Sequence, residues 1–243
     1  MPISRFYCPV PLASGQMLDL PQQAAHHAAR VLRLREGDRV VLFNGEGGEC
    51  VAKIFSAGKS AMTVQVLQVL DVERESPLRV TLAQAVSAGE KMDYTIQKAV
   101  ELGVRYIQPL ESERCVVRLS GERAEKRVQH WQQVVVSACE QSGRNRVPPV
   151  APVLPLPRWL EREATGSLKL MLAPDAERKL SELPCPAGEV VLLIGPEGGF
   201  SAPETAAAAK MGYLPVRLGA RVLRTETAAL AALAAMSALW GDF

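Results

Sequence analysis

The chain has 243 residues, 48% of them hydrophobic and 22% charged, with a formal net charge of +2. Such a chain can bury an ordinary core as one large domain or two modest ones, and its charge sum is too small to announce a polyanionic partner. Five widely spaced cysteines without a Cys-x-x-Cys pair, three histidines outside any metal-ligand spacing, and no apolar run approaching a spanning helix or a secretory signal argue against disulfide scaffolds, metal centres and membranes; a cytoplasmic protein is expected.

In chain order, "RVVLFNG", "ECVAKIFSAG" and "AMTVQVLQVL" alternate partially and are bounded by Gly, Asn and Asp, so they predict strands of a small β-barrel. A short helix is predicted from about Gln22 to Val31. The charged, proline-ended "DVERESP" (Asp71 to Pro77) predicts a domain boundary. From Leu78 strands alternate with helices, the pattern of a largely parallel sheet covered on its faces. "LRVTLAQAV" reads as a strand, and "EKMDYTIQKAVELG" as a helix with Met92, Ile96, Ala99 and Val100 on one face and Gly103 at its C-terminal end. The strand "VRYIQPL" and a long helix from about Gly121 to Gly143 follow, the helix facing Val128, Trp131, Val135 and Ala138 inward. "LKLMLAP" and the almost wholly apolar "EVVLLIG" predict two more strands, the second central. A helix from Ala202 to Met211, the strand "YLPVRLG" and a closing helix from Thr225 to Trp240 complete the reading.

Three stretches carry chemistry. "LLIGPEGGFS" runs from a strand end into a helix start, where open α/β sheets bind ligands. Ser201 and Glu204 form a capping box with Pro203 in the first turn, while Gly195, Gly198 and Gly199 allow a sharp turn and close backbone approach. The spacing is neither Gly-x-Gly-x-x-Gly nor a P-loop. A second strand-to-helix junction, "LPVRLGARVLRTETAAL", crowds Arg221, Arg224 and Glu226 between Leu218 and Leu223. If the two junctions are adjacent, they make a crevice suited to an adenosine-like ligand. The third stretch, "ACEQSGRNRVPPV", sets Glu140, Gln141, Arg144, Asn145 and Arg146 around a helix end, a polar set fit for phosphates and base edges. A basic run, His26, His27, Arg30, Arg33 and Arg35, lies in the first region. Paired surface charge and solvated helix faces are the bland readings of these residues.

"LLIGPEGGFS", "LGARVLRTETA", "EKMDYTIQKAVELGV" and "ACEQSGRNRVP" together resemble the ribosomal RNA small-subunit methyltransferase E family, of the SPOUT class. "RFY" and "HHAARVLRLREGD" resemble that family's N-terminal PUA-like barrel, so the resemblance covers the whole chain. It implies an α/β protein with a PUA-like RNA-binding β-barrel over 1–72 and a SPOUT methyltransferase domain over 73–243 with a C-terminal trefoil knot. It further implies a homodimer that uses S-adenosyl-L-methionine to methylate N3 of a uridine, U1498 in the usual bacterial count, in 16S rRNA of the small ribosomal subunit. Carried over by position, the cofactor contacts are Leu172, Ala173, Gly195, Pro196, Gly198, Gly199, Leu218, Gly219, Leu223, Thr225 and Ala228. The RNA contacts are Arg5, His26, Arg30, Arg33, Gln141, Asn145 and Arg146. The sequence departs from the pattern at Ala88, where many relatives are expected to carry a lysine.

N3 lies on the base-pairing edge of uracil, so the base must be unpaired or extruded, and loss of its proton puts charge on O2 and O4. Arg144 is the first candidate to hold that charge and Arg224 the second. Glu197 is a candidate proton acceptor, with bonding to the amides of its own glycine turn as the alternative. Two other functions stay open at this point: methylation of another RNA such as tRNA, and a non-catalytic RNA-binding role in ribosome assembly.

Overall fold

The computed structural model describes residues 3–58, 61–162 and 167–243. Two compact units emerge: Met1–Glu75 with Cys139–Val147, and Ser76–Ala138 with Pro148–Phe243.

The first unit is built on a five-stranded sheet of β1 (Arg5–Tyr7), β2 (Met17–Asp19), β3 (Arg39–Phe43), β4 (Glu49–Ala57) and β5 (Met62–Leu70), in the order β1-β3-β4-β5-β2. The three long strands are those the alternation predicts, and they pair antiparallel. Register shifts between Val51 and Ala52 and between Ile54 and Ser56 bend β4 as bulges do. Phe6, Leu42, Ile54, Met62 and Val64 form its core with Ala24, Ala25 and Ala28 of the intervening helix. That helix is not the single α-helix expected. α1 (Gln22–His26) passes into a π-helical turn over His27–Val31, and Arg33 follows in the left-handed region at φ 54°. Extra residues per turn move side chains off the α-helical i, i+4 stripe.

The second unit holds a six-stranded, wholly parallel sheet: β6 (Val80–Ala85), β7 (Tyr106–Glu111), β8 (Leu154–Pro155), β9 (Leu168–Leu172), β10 (Val190–Ile194) and β11 (Leu214–Val216), ordered β11-β9-β10-β6-β7-β8. β10 lies between β9 and β6 with all five residues buried, which is why its sequence is continuously apolar. The helices are α2 (Lys91–Glu101), α3 (Gly121–Ser142), α4 (Leu156–Leu160), α5 (Ala202–Lys210) and α6 (Thr225–Trp240). α2 buries Met92, Ile96, Ala99 and Val100 and ends where Gly103, at φ 83°, donates its N–H to Val100 O. The chain runs outward through β6, β7 and β8, then returns to insert β10 beside β6 and to place β9 and β11 beyond it. That reversal puts the carboxyl ends of β9, β10 and β11 at a topological switch point, the position where open α/β sheets bind ligands.

Candidate cofactor cleft and basic residues

A cleft of about 870 Å³ opens at those strand ends, within the size range of small-molecule sites. Three loops line it: Leu172 to Asp175 after β9, Ile194 to Phe200 after β10, and Val216 to Thr225 after β11. Each cofactor contact expected from the sequence (Leu172, Ala173, Gly195, Pro196, Gly198, Gly199, Leu218, Gly219, Leu223, Thr225 and Ala228) lies on its wall.

The glycine loop owes its shape to contacts within itself. A Cβ on Gly195 would stand 3.3 Å from Gly199 Cα and from Phe200 N, so the loop folds over Gly195 too closely for a side chain. Gly199 sits at φ 66° and returns its N–H to Pro196 O at 2.9 Å, closing a tight turn. Ser201 and Glu204 form the expected capping box at the start of α5. Thr225, at the start of α6, donates its hydroxyl to Gly195 O at 2.6 Å and accepts from the buried Gln84 Nε2 at 3.0 Å.

The cleft suits a nucleoside-type ligand. Leu172, Ile194, Phe200, Leu218 and Leu223 supply apolar wall. Among the described residues, no backbone N–H from Leu218 to Leu223 donates to a backbone carbonyl, which leaves donors for the edge of a flat base. Around these walls stand Lys91, Arg114, Arg217, Arg221 and Arg224 against Asp175 and Glu197, a basic margin fit for an RNA backbone.

Glu197 does not have the properties of a proton acceptor. Its Oε1 accepts from Lys91 Nζ at 3.0 Å and from the Ala88 N–H at 3.1 Å. Burial raises its pKa, but its own amide, Lys91 and the Ala88 N–H outweigh that and hold the carboxyl below the usual range. A carboxylate so stabilised is a weak base. Arg224 lines the cleft, is exposed, and has no side-chain partner among the described residues.

Arg144, the leading catalytic candidate, is bonded within its own unit. It is 5% exposed, belongs to the first unit, and grips Glu75 through Nε at 2.9 Å and through Nη2. The cleft wall does not include it. Two further expected RNA contacts are likewise spent internally. Asn145 is fully buried, donating to Val72 O and accepting from Arg5. Arg5 also pairs with Glu49 at 2.7 Å and stacks over Phe43. Arg146 is half-exposed and bonded to Glu73 at 2.7 Å. His26, Arg30, Arg33 and Gln141 are exposed. Within the charged "DVERESP" segment Glu73, Arg74 and Glu75 bond Arg146, Glu49 and Arg144.

Sequence reasoning missed Lys91 and Arg114. Arg114 donates to Gly198 O at 2.9 Å and packs its aliphatic stem against Gly198 Cα, where a Cβ would stand 3.3 Å from Arg114 Cβ. Arg114 follows β7 and Gly198 follows β10, two strands separated in the sheet by β6. Only the position of the glycine loop beside a predicted strand end hinted at either residue. Among the described residues there is no cluster of three or more His, Cys, Asp or Glu able to hold a metal ion, and no helix long and apolar enough to cross a membrane.

A strand-end cleft with this donor set on a parallel sheet defines a nucleoside-cofactor enzyme, and comparison with known proteins narrows the class. A family described as RNA methyltransferase domain matches residues 74–237, and one described as RNA methyltransferase PUA domain matches residues 20–67. The ribosomal RNA small subunit methyltransferase E of Buchnera aphidicola is 36% identical over 99% of this chain and 98% of its own length. That of Mycobacterium tuberculosis is 35% identical over 96% and 91%. Among solved structures, the ribosomal RNA small subunit methyltransferase E of Neisseria gonorrhoeae bound to S-adenosyl methionine is 44% identical, covers 99% of both chains and superposes with a TM-score of 0.94. A Legionella pneumophila protein in complex with the same cofactor is 42% identical over both full chains, with a TM-score of 0.96. The chain belongs to the ribosomal RNA small subunit methyltransferase E family.

Proposed function

We propose that this protein uses S-adenosyl-L-methionine to methylate N3 of the uridine at U1498 of 16S rRNA in the small ribosomal subunit. It acts as a homodimer, with a PUA-like barrel over 1–72 for RNA and a SPOUT domain over 73–243 whose C-terminal segment forms a trefoil knot. The observation that carries the reading is the cleft: three strand-end loops enclose a nucleoside-sized space with unspent N–H groups and a basic margin. Two family members with close to half the same residues are solved with that cofactor.

The cofactor supplies an electrophilic methyl group on a sulfonium. The Leu218 to Leu223 backbone and the apolar walls would hold its nucleoside, with the glycine loop as a further wall. Alignment of N3 with the methyl contributes much of the rate advantage. As N3 gives up its proton to water, charge grows on O2 and O4. Arg224 stands at the cleft, makes no ion pair among the described residues, and neutralises it. Glu197, already ion-paired, takes no proton.

The test is tritiated methyl transfer to small subunits from a strain lacking the modification. Wild-type protein should label them, and Arg224→Ala should lower the single-turnover rate by about a hundredfold or more while cofactor affinity holds. A parental rate at saturating RNA would remove Arg224 from the chemistry.

A further inference from the structure

The loop that holds the cofactor in the proposed reaction is tied down by residues that follow two other strands, β6 and β7. Glu197 reaches the turn between β6 and α2, where the Ala88 N–H and Lys91 Nζ bond its Oε1 at 3.1 and 3.0 Å. Gly198, the next residue, gives its carbonyl to Arg114 from the loop after β7 at 2.9 Å. The loop after β7 is itself anchored to α5, because the Glu113 N–H donates at 2.7 Å to the Glu204 carboxylate, whose other oxygen caps Ser201 at 2.9 Å. Residues 197 and 198 are thus each tied, Glu197 by its side chain to the turn before α2 and Gly198 by its carbonyl to Arg114.

The interior of the loop gives these ties a purpose. A Cβ on Gly195 would stand 3.3 Å from Gly199, and Gly199 adopts a left-handed backbone, a turn that the glycines have no side chains to hold. Glycines lose more freedom on ordering than other residues, so an untethered loop would pay that entropy each time the cofactor binds. Both tethers are partly exposed, and exposed ion pairs contribute little global stability. Their effect falls on loop geometry. The low pKa of Glu197, set by its own amide, Lys91 and the Ala88 N–H against the opposing effect of burial, keeps the tie charged at neutral pH.

We infer that Glu197 and Arg114 are positioning residues that preorganise the glycine loop for the cofactor, neither touching the reacting atoms. This rests on the proposed cofactor use of the cleft. Glu197→Ala removes the acceptor, while Glu197→Gln keeps an oxygen that the Ala88 N–H and Lys91 can still bond. Arg114→Ala releases Gly198 O from the other side.

Calorimetry with S-adenosyl-L-methionine, beside single-turnover methylation of small subunits across a range of pH, separates the roles. Glu197→Ala and Arg114→Ala should each weaken cofactor binding about tenfold, Glu197→Gln by less than about threefold. At saturating cofactor both Glu197 variants should approach the parental rate, with the shape of the pH profile unchanged. Parental affinity in Glu197→Ala, with native circular dichroism, overturns the inference. So does loss of the acid limb of the pH profile in Glu197→Gln, which would make Glu197 a proton acceptor. If the wild-type protein binds no cofactor, the functional reading fails instead, and that is visible before any variant is made.

Discussion

Thr225→Val removes one hydroxyl and almost no volume, and the structure fixes what it should cost. The hydroxyl is the donor to Gly195 O at 2.6 Å and the acceptor for Gln84 Nε2 at 3.0 Å, in surroundings where Thr225 is 6% exposed and Gln84 is fully buried. The two partners do not lose equally. Gln84 Nε2 keeps a second bond to Ala85 O at 3.0 Å, whereas Gly195 O loses a short hydrogen bond at a tight point of the glycine loop. A net hydrogen bond is worth about 1 kcal/mol and an orphaned buried acceptor costs about 1–3 kcal/mol, so about 2 kcal/mol is expected in total. Most of it should appear as cofactor affinity, because the loop held by that bond is the one lining the cleft. The expected weakening is about 10- to 30-fold. Titration calorimetry with S-adenosyl-L-methionine measures it, and Thr225→Ser, which retains the hydroxyl, should recover most of the affinity. Equal affinities for wild type and Thr225→Val would refute the reasoning, as would a Ser variant as weak as the Val variant.

Other perturbations have equally definite outcomes. Arg144→Ala should unfold at lower denaturant concentration by about 3 kcal/mol, because the largely buried Glu75 loses its bidentate partner, and calorimetry should show cofactor affinity unchanged. A rate collapse without a stability loss would return Arg144 to the chemistry. Replacing Arg30 and Arg33 together by alanine should weaken RNA binding and lower the slope of log K against log salt by about 1.5, with cofactor affinity intact, in filter-binding titrations from low to high salt. Glu49, bonded by Arg74 and Arg5 against the opposing effect of burial, has its pKa lowered to about 2. Because its folded pKa lies below its unfolded one, its stabilisation is present above about pH 4.5 and is lost as pH falls toward 2. The shift corresponds to about 3 kcal/mol, so urea midpoints measured through this window should fall steeply for wild type and more gently for Glu49→Gln.

Much of the second unit was legible because its strands and helices announce themselves by period. β10 reads as central from five consecutive apolar residues, and the glycine loop after it reads as a ligand loop because glycines at a strand-to-helix junction have few other reasons to cluster. Short elements without a period were not legible. β1, β2 and β8 have two or three residues each and exist only through their pairing partners. The π-helical turn over His27–Val31 was invisible, since its residues have no spacing or composition that sets them apart from an ordinary helix. The internal partners of the arginines stayed hidden for one common reason. Arg144 meets Glu75 across 69 residues of sequence, and Arg5 meets Asn145 across 140; a sequence shows that a residue can bind phosphate, and says nothing of a carboxylate or amide that folding brings to it first. The same separation hid Arg114, whose carbonyl partner is 84 residues away.

The central claim is the site of methyl transfer. Wild-type protein should be incubated with S-adenosyl-L-methionine and small subunits from a strain lacking the modification, and the 16S rRNA then digested and its nucleosides and fragments read by mass spectrometry. The account predicts one 3-methyluridine per subunit, in the fragment containing U1498. A methyl group on another atom or another nucleotide, or unmodified 16S rRNA from protein that demonstrably binds the cofactor, would contradict it.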